Sequence, residues 1–119
     1  MYYNMLENLG LGIDIVEINK FKKITYSKKP SFYKKIFLPS EIEYCLKFKE
    51  PSEHFAGKFA LKESVKKSIN KKVSFLEIET YHKNSKPEIR LNNFKEYEFL
   101  ASISHDNEYA IGMVISEKL

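Results

Sequence analysis

At Lys72 the chain changes grammar. Between Ile18 and Asn70 apolar residues recur at helical spacing. From Lys72 onward they run in short stretches broken by turn residues: KVSFLEIETY, the turn HKNSKP, EIRLN, then FLASIS and YAIGMVIS joined across HDNE. Strands joined by short turns pair antiparallel, and helices gathered ahead of them pack on one face, so the expected class is α+β. One more strand belongs at the other end. In LGLGIDIVEI, Leu11, Ile13 and Ile15 alternate with Gly12, Asp14 and Val16, the period of a strand buried on one face, with Asp14 pointing the other way. That strand must join the sheet from the far end of the sequence.

The helices have readable starts and stops. Ile18, Phe21 and Ile24 recur three apart, so strand gives way to helix near Asp14, where Asp14 and Glu17 fit a loose capping signature. Ser40 followed by Glu43 marks a second start, with Ile42, Cys45, Leu46 and Phe48 as its apolar side and a stop before Pro51. Ser52 can cap a third helix, whose Phe55, Phe59 and Ile69 face the core and which runs to about Asn70, a residue that tolerates a left-handed cap.

With 119 residues, 43% hydrophobic and 14% aromatic, the chain can bury one core, and residues 1–119 read as a single domain. Four glycines, four prolines and no internal repeat argue against disorder. The lone Cys45 cannot form an internal disulfide, no apolar run nears the roughly 20 residues of a membrane span, and MYYNMLENLG has no basic stretch ahead of an apolar one. A cytoplasmic protein without membrane attachment is expected, its first residues a simple lead-in.

The net charge of +4 is modest but unevenly placed: residues 20–35, KFKKITYSKKPSFYKK, hold seven lysines and no acid. Two readings are open, a solvated helical face or a docking strip for an anionic partner, either nucleic acid or an acidic protein. A second feature lies in HFAGKFALKESVKKSI, where Ala56, Ala60, Glu63 and Lys67 fall on one stripe beside the face of Phe55 and Phe59. Glu63 and Lys67 at this spacing can be a surface pair worth a few tenths of a kcal/mol. Asp14 likewise can be no more than a helix cap. Were the first strand to pack on this helix, Asp14 and Glu63 would converge, and two carboxylates with open positions suit magnesium.

GIDIVEI, then FAGKFALKESVKKSI, then SISHDNEYAIGMVI resemble, in order and spacing, the signatures of the holo-acyl-carrier-protein synthases, the small bacterial 4′-phosphopantetheinyl transferases. The resemblance spans nearly the whole chain. It implies a fold with an antiparallel sheet packed on a long helix, assembled as a homotrimer with active sites between subunits. It implies transfer of 4′-phosphopantetheine from coenzyme A to a serine of apo-acyl carrier protein, for fatty-acid synthesis, releasing adenosine 3′,5′-bisphosphate. The family's magnesium ligands fall on Asp14 and Glu63. Lys67 would steady charge on the phosphates, and the serine proton would pass to Glu63 or to water held at the cation. The resemblance sets His105 near the nucleotide end of coenzyme A. It sets Lys58, otherwise an exposed lysine, where the family commonly has a phosphate-binding arginine. Because Lys58 lies roughly opposite the Glu63 stripe, any phosphate it binds should occupy a different pocket, that of a neighbouring subunit. Lys20, Lys22 and Lys23 take the place of basic residues that meet an acidic helix of the carrier, a contact that should weaken with salt.

Two departures accompany the resemblance. SINKKVSF is shorter than the family's loop and lacks its glycine, and Ser85 stands in the NSKP turn where the family favours glycine. The alternatives are a small basic nucleic-acid-binding domain, with Phe21, Tyr26, Phe32 and Tyr33 stacking on bases, and an inactive scaffold of the same fold that keeps the lysines.

Overall fold

The computed structural model describes residues 5–119, so the first four residues of the expected lead-in lie outside the described residues. After a 3-10 turn over Met5–Asn8 come β1 (Leu9–Glu17), three short helices α1 (Asn19–Lys23), α2 (Pro30–Lys34) and α3 (Pro39–Leu46), and the long α4 (Pro51–Ser68). Four strands follow, β2 (Ile78–Lys83), β3 (Lys86–Leu91), β4 (Tyr97–His105) and β5 (Tyr109–Lys118). Every strand pairing is antiparallel. The strands form a three-stranded sheet in the order β1-β5-β4 and a β2-β3 hairpin. The α+β class therefore holds, and the first strand does enter the sheet from the far end of the chain, with Leu9 opposite Glu117 and Glu17 opposite Tyr109.

The alternation read in β1 is real, but its sides are inverted. Leu11, Ile13 and Ile15 are exposed, while Gly12 and Val16 are buried and Asp14 half-buried against α4. The cause is glycine. A Cβ on Gly12 would sit 1.8 Å from the Ser64 carbonyl oxygen, and one on Gly10 1.7 Å from that of Ser68. Only a strand without side chains at these two positions can lie flat on the helix backbone. Serine hydroxyls then tie the layers: Ser64 donates to the Gly112 carbonyl at 2.9 Å, and Ser116 to that of Ser68 at 2.9 Å. Gly12→Ala is expected to cost about 3 kcal/mol, because the backbone it strikes cannot rotate away. A urea titration that left the midpoint unmoved would refute this.

Helix boundaries also depart from the sequence expectations. β1 continues to Glu17, so Asp14 is mid-strand and caps nothing, and the Asp14–Glu17 signature is not used. In α3 the acid that reaches back is Glu41, accepting the Leu38 N–H at 2.7 Å, rather than Glu43 reaching Ser40. Leu46 and Phe48 are exposed instead of core-facing. Pro51 occupies the first turn of α4 and Ser52 is buried inside it without capping. The helix ends into extended backbone at Ile69, so Asn70 is not a left-handed cap. The first half of KVSFLEIETY is a loop and a 3-10 turn, with strand only from Ile78. Asn84 and Ser85 link β2 to β3 in the left-handed region, φ 52° and 65°, which explains why glycine suits the second of them.

The core has two parts. Around Phe55 of α4 an aromatic nest gathers Phe21, Tyr33 and Phe37, with Val16, Ile18, Ile36, Ile42 and Cys45. Burial pushes the Cys45 thiol up to about 12. Farther along the helix Leu61, Val65 and Ile69 meet Ile78, Ile89, Leu91 and Val114. No described helix is long and apolar enough to cross a membrane.

Candidate active site

The stripe on α4 emerges from the core as it runs toward the helix C-terminus: Ala56 and Ala60 are fully buried, Glu63 is half-buried and Lys67 exposed. Lys67 does not pair with Glu63. Its Nζ crosses to β1, donating to the Asp14 Oδ1 at 3.1 Å and to the Ile13 carbonyl at 3.0 Å. The structure thus brings Asp14 and Lys67 into contact on the flank where Glu63 sits one turn earlier. Glu63 has no hydrogen bond or ion pair among the described residues.

The donor set fits a hard divalent cation in chemistry: two carboxylates, one without a protein partner and the other held only by a lysine that is 53% exposed. Among the described residues no group of three or more metal-ligating side chains gathers.

Lys58 is not the exposed lysine expected. It is 2% exposed, and its Nζ donates to the Thr80 carbonyl at 3.1 Å and to the Thr80 hydroxyl at 3.0 Å, beside the Tyr44 ring. It lies about 140° round α4 from Glu63, on a separate flank. There it shares a cavity of about 400 Å³ with His105, so the two residues that the resemblance links to coenzyme binding, distant in sequence, line one pocket. His54 and His82 line it too, which places all three histidines of the chain at a single site.

Burial pushes His54 and His82 below the ordinary histidine value, with the Lys58 charge adding to the shift in both. The His82 Nδ1 is buried without a hydrogen-bond partner among the described residues, its ring stacked on Tyr44 at 4.7 Å, and the His54 ring is stacked on Phe48 at 3.6 Å. His105 is exposed and begins the turn into β5, where the Asp106 carboxylate accepts the Glu108 and Tyr109 N–H groups at 2.7 Å.

The reading of the sequence missed His54 and His82, and also Glu41, Thr80 and Lys62. Lys62 is fully buried, donating to Glu41 at 2.7 Å and to the Ile36 and Phe75 carbonyls. A signal did exist for Glu41, a carboxylate on the apolar face shared by Ile42 and Cys45. No sequence pattern joins the histidines, which the fold alone assembles. Lys20, Lys22 and Lys23 are exposed on α1, and none of the seven lysines of residues 20–35 enters an ion pair among the described residues.

Comparison with known proteins gives this geometry its context. Residues 10–114 match the family model of the 4′-phosphopantetheinyl transferase superfamily. The chain belongs to that superfamily. Within it the chain groups with enzymes, the holo-[acyl-carrier-protein] synthases. It is 35% identical over 122 residues to the one of Geobacter sp. (strain M21), covering 92% of this chain and 98% of the relative. It is 39% identical over 121 residues to that of Clostridium novyi (strain NT), covering 92% and 87%. The fold agrees. A holo-(acyl-carrier-protein) synthase of Bacillus anthracis, crystallised with CoA (3′,5′-ADP), superposes with a TM-score of 0.78 at 33% identity, covering 92% of this chain and 96% of that one. The synthase of Helicobacter pylori, in complex with coenzyme A, gives 0.76 at 37% identity, covering 90% and 99%. The nucleic-acid-binding alternative finds no support in these matches.

Proposed function

We propose that this enzyme transfers 4′-phosphopantetheine from coenzyme A to a serine of apo-acyl carrier protein in the cytoplasm, with residues 1–119 acting as one transferase domain. The observation that carries the reading is the reach of Lys67 from α4 to the Asp14 carboxylate on β1, which gathers a strand aspartate and a helix lysine on the flank that bears Glu63. Asp14 and Glu63 would hold Mg2+. When bound, the ion would neutralise charge on the diphosphate.

The serine oxygen bonds to the phosphorus that carries pantetheine, the P–O bond to the nucleotide breaks, and adenosine 3′,5′-bisphosphate leaves. Lys67 donates to the phosphate oxygens as negative charge shifts onto the leaving group. Its contact with Asp14 is open to solvent and worth at most about 1 kcal/mol, so freeing the ammonium for a phosphate costs little. Glu63, with no hydrogen bond or ion pair among the described residues, is available to ligate or to accept the serine proton. Lys58 and His105 would bind the nucleotide's phosphates, in the pocket they share with His54 and His82. Lys20, Lys22 and Lys23 would guide the acidic carrier to the site.

The two flanks of α4 favour an assembly in which one subunit's nucleotide pocket faces another's Asp14. A surface for it exists. On the outer side of the sheet Leu11, Ile115 and Leu100 form one cross-strand row, followed by Ile13 with Met113 and Ile15 with Ile111. Leu11, Ile13, Ile15 and Leu100 are each more than half exposed, more apolar surface than a monomer ordinarily leaves in water. A homotrimer covers it with cyclic symmetry.

The test is mass spectrometry of apo-acyl carrier protein incubated with this enzyme, coenzyme A and Mg2+, beside sedimentation of the enzyme itself. The expected results are a phosphopantetheine adduct that disappears with chelator, and a particle of three 14.0 kDa chains. A carrier left unmodified where a known synthase modifies it would refute the activity, and a monomer at working concentration would refute the trimer.

A further inference from the structure

Two lysines of α4 are buried together, and they are not equivalent. Lys62 spends all three of its N–H donors inside the protein, on the Glu41 carboxylate and the Ile36 and Phe75 carbonyls. Lys58 spends two, both on Thr80, and meets no carboxylate directly. One of its N–H groups is left without a hydrogen-bond acceptor among the described residues, and Lys58 lines the cavity it shares with His54, His82 and His105.

Thr80 is held in turn. Its N–H donates to the Glu41 Oε2 at 2.9 Å and its hydroxyl donates to the same oxygen. Because the hydroxyl proton is committed to Glu41, the Thr80 oxygen can only accept from Lys58. The chain of bonds from carboxylate to hydroxyl to ammonium therefore has one direction, and each link fixes the next.

We propose that Thr80 and Glu41 are positioning residues for the coenzyme: they anchor the Lys58 ammonium at the wall of the pocket and keep it charged, so that its remaining N–H meets a phosphate of the nucleotide. The proposal rests on the reading of this pocket as the nucleotide's site. Charge is what the anchor must preserve. Burial holds Lys58 below the ordinary lysine value, while Glu41 and Glu79 favour the charged form. The other titratable groups around Lys58, namely Glu43, Tyr44 and Lys47 at α3, Glu53, His54 and Lys62 on α4, Tyr81 and His82 on β2 and His105 on β4, supply no carboxylate within ion-pair distance of Nζ among the described residues. Thr80 is thus the immediate hydrogen-bonding acceptor of this ammonium, and Glu41 fixes its orientation.

The experiment is steady-state kinetics of the full-length enzyme against pH, with Thr80→Val, Thr80→Ser and Lys58→Gln beside the parent. Losing a hydrogen bond to a charged group predicts that Thr80→Val raises the KM for coenzyme A about tenfold. The same variant should keep kcat within about twofold of the parent, since the anchor acts on binding rather than on the reacting atoms. The alkaline limb of kcat/KM should move to lower pH, because a Lys58 left with only the Thr80 carbonyl as acceptor gives up its proton sooner, and Thr80→Ser should restore both.

Where Thr80→Val folds poorly, calorimetric binding of adenosine 3′,5′-bisphosphate to the folded fraction of Thr80→Ala gives the same answer as a loss of affinity. Unchanged KM and an unmoved alkaline limb, with only the melting temperature lowered, would overturn the proposal. Lys58→Gln separates the two levels. If it too leaves coenzyme binding intact, the pocket assignment has failed. If it weakens binding and Thr80→Val does not, only the anchor has.

Discussion

Asp14→Asn is expected to lower the rate of phosphopantetheine transfer by about 100-fold or more while leaving the melting temperature within about 2 °C of the parent's. The two halves of that expectation have separate grounds. Asp14 sits in the middle of β1, opposite Gly112, and caps no helix, so the fold asks nothing of its charge. Its one ion pair is with a lysine that is 53% exposed, an arrangement worth at most about 1 kcal/mol, and asparagine keeps an oxygen to accept that hydrogen bond. The carboxylate's charge, by contrast, is half of the donor pair proposed for a divalent cation, and an amide oxygen is a poor substitute.

Titration with Mg2+ or Mn2+ followed by calorimetry separates this from any indirect effect. Asp14→Asn should bind the ion weakly, whereas Lys67→Met, which removes a positive charge beside Asp14, should bind it as well as the parent or better while still losing turnover. An Asp14→Asn enzyme that keeps its rate, or one that unfolds, would remove Asp14 from the role given to it.

The strands were legible because antiparallel hairpins leave short-range marks: alternation, turn residues and close spacing, as in EIRLN and YAIGMVIS. The long helix showed itself through Phe55, Phe59 and Ile69. What could not be read was which side of β1 faces inward, since apolar alternation marks a face but not its neighbour. Leu11, Ile13 and Ile15 look like core and stand outside, and the inward face is set by absent side chains at Gly10 and Gly12.

Asp14 and Lys67 were visible as residues, yet their contact depends on how the sheet lies across α4, a long-range fact fixed by β1–β5 pairing and the close approach of Gly10 and Gly12 to Ser68 and Ser64. The histidine pocket was invisible for the same reason, with His54, His82 and His105 on three different elements. Lys58 looked like a surface residue because lysine is rarely buried. Whereas the capping pattern had pointed to Glu43, Lys62 bonds Glu41 directly and Lys58 reaches the same acid only through Thr80.

That acid should carry the largest stability effect in the molecule. Glu41 accepts four kinds of donor at once: the Leu38 N–H, the Lys62 ammonium, and the N–H and hydroxyl of Thr80. These tie α3, α4 and β2 at one buried point, so Glu41→Leu would strand a buried ammonium and three neutral donors together, at a cost of about 3–5 kcal/mol. Lys62→Met should cost less, because Glu41 would keep Thr80 and Leu38 as donors.

The pair is where the effects must fail to add. With Glu41→Leu in place, Lys62 is a buried charge without an acid, which burial already disfavours relative to its ordinary value of 10.5. Removing it should then recover part of the loss, since an apolar replacement of a buried ion pair is often neutral or better. Recovery stays partial, because the Thr80 and Leu38 N–H groups would still lack an acceptor. Urea titration of the two single variants and the double gives the coupling directly. Losses that simply sum would show that Lys62 and Glu41 stabilise the fold independently, and that the buried bridge is not what joins the helices to β2.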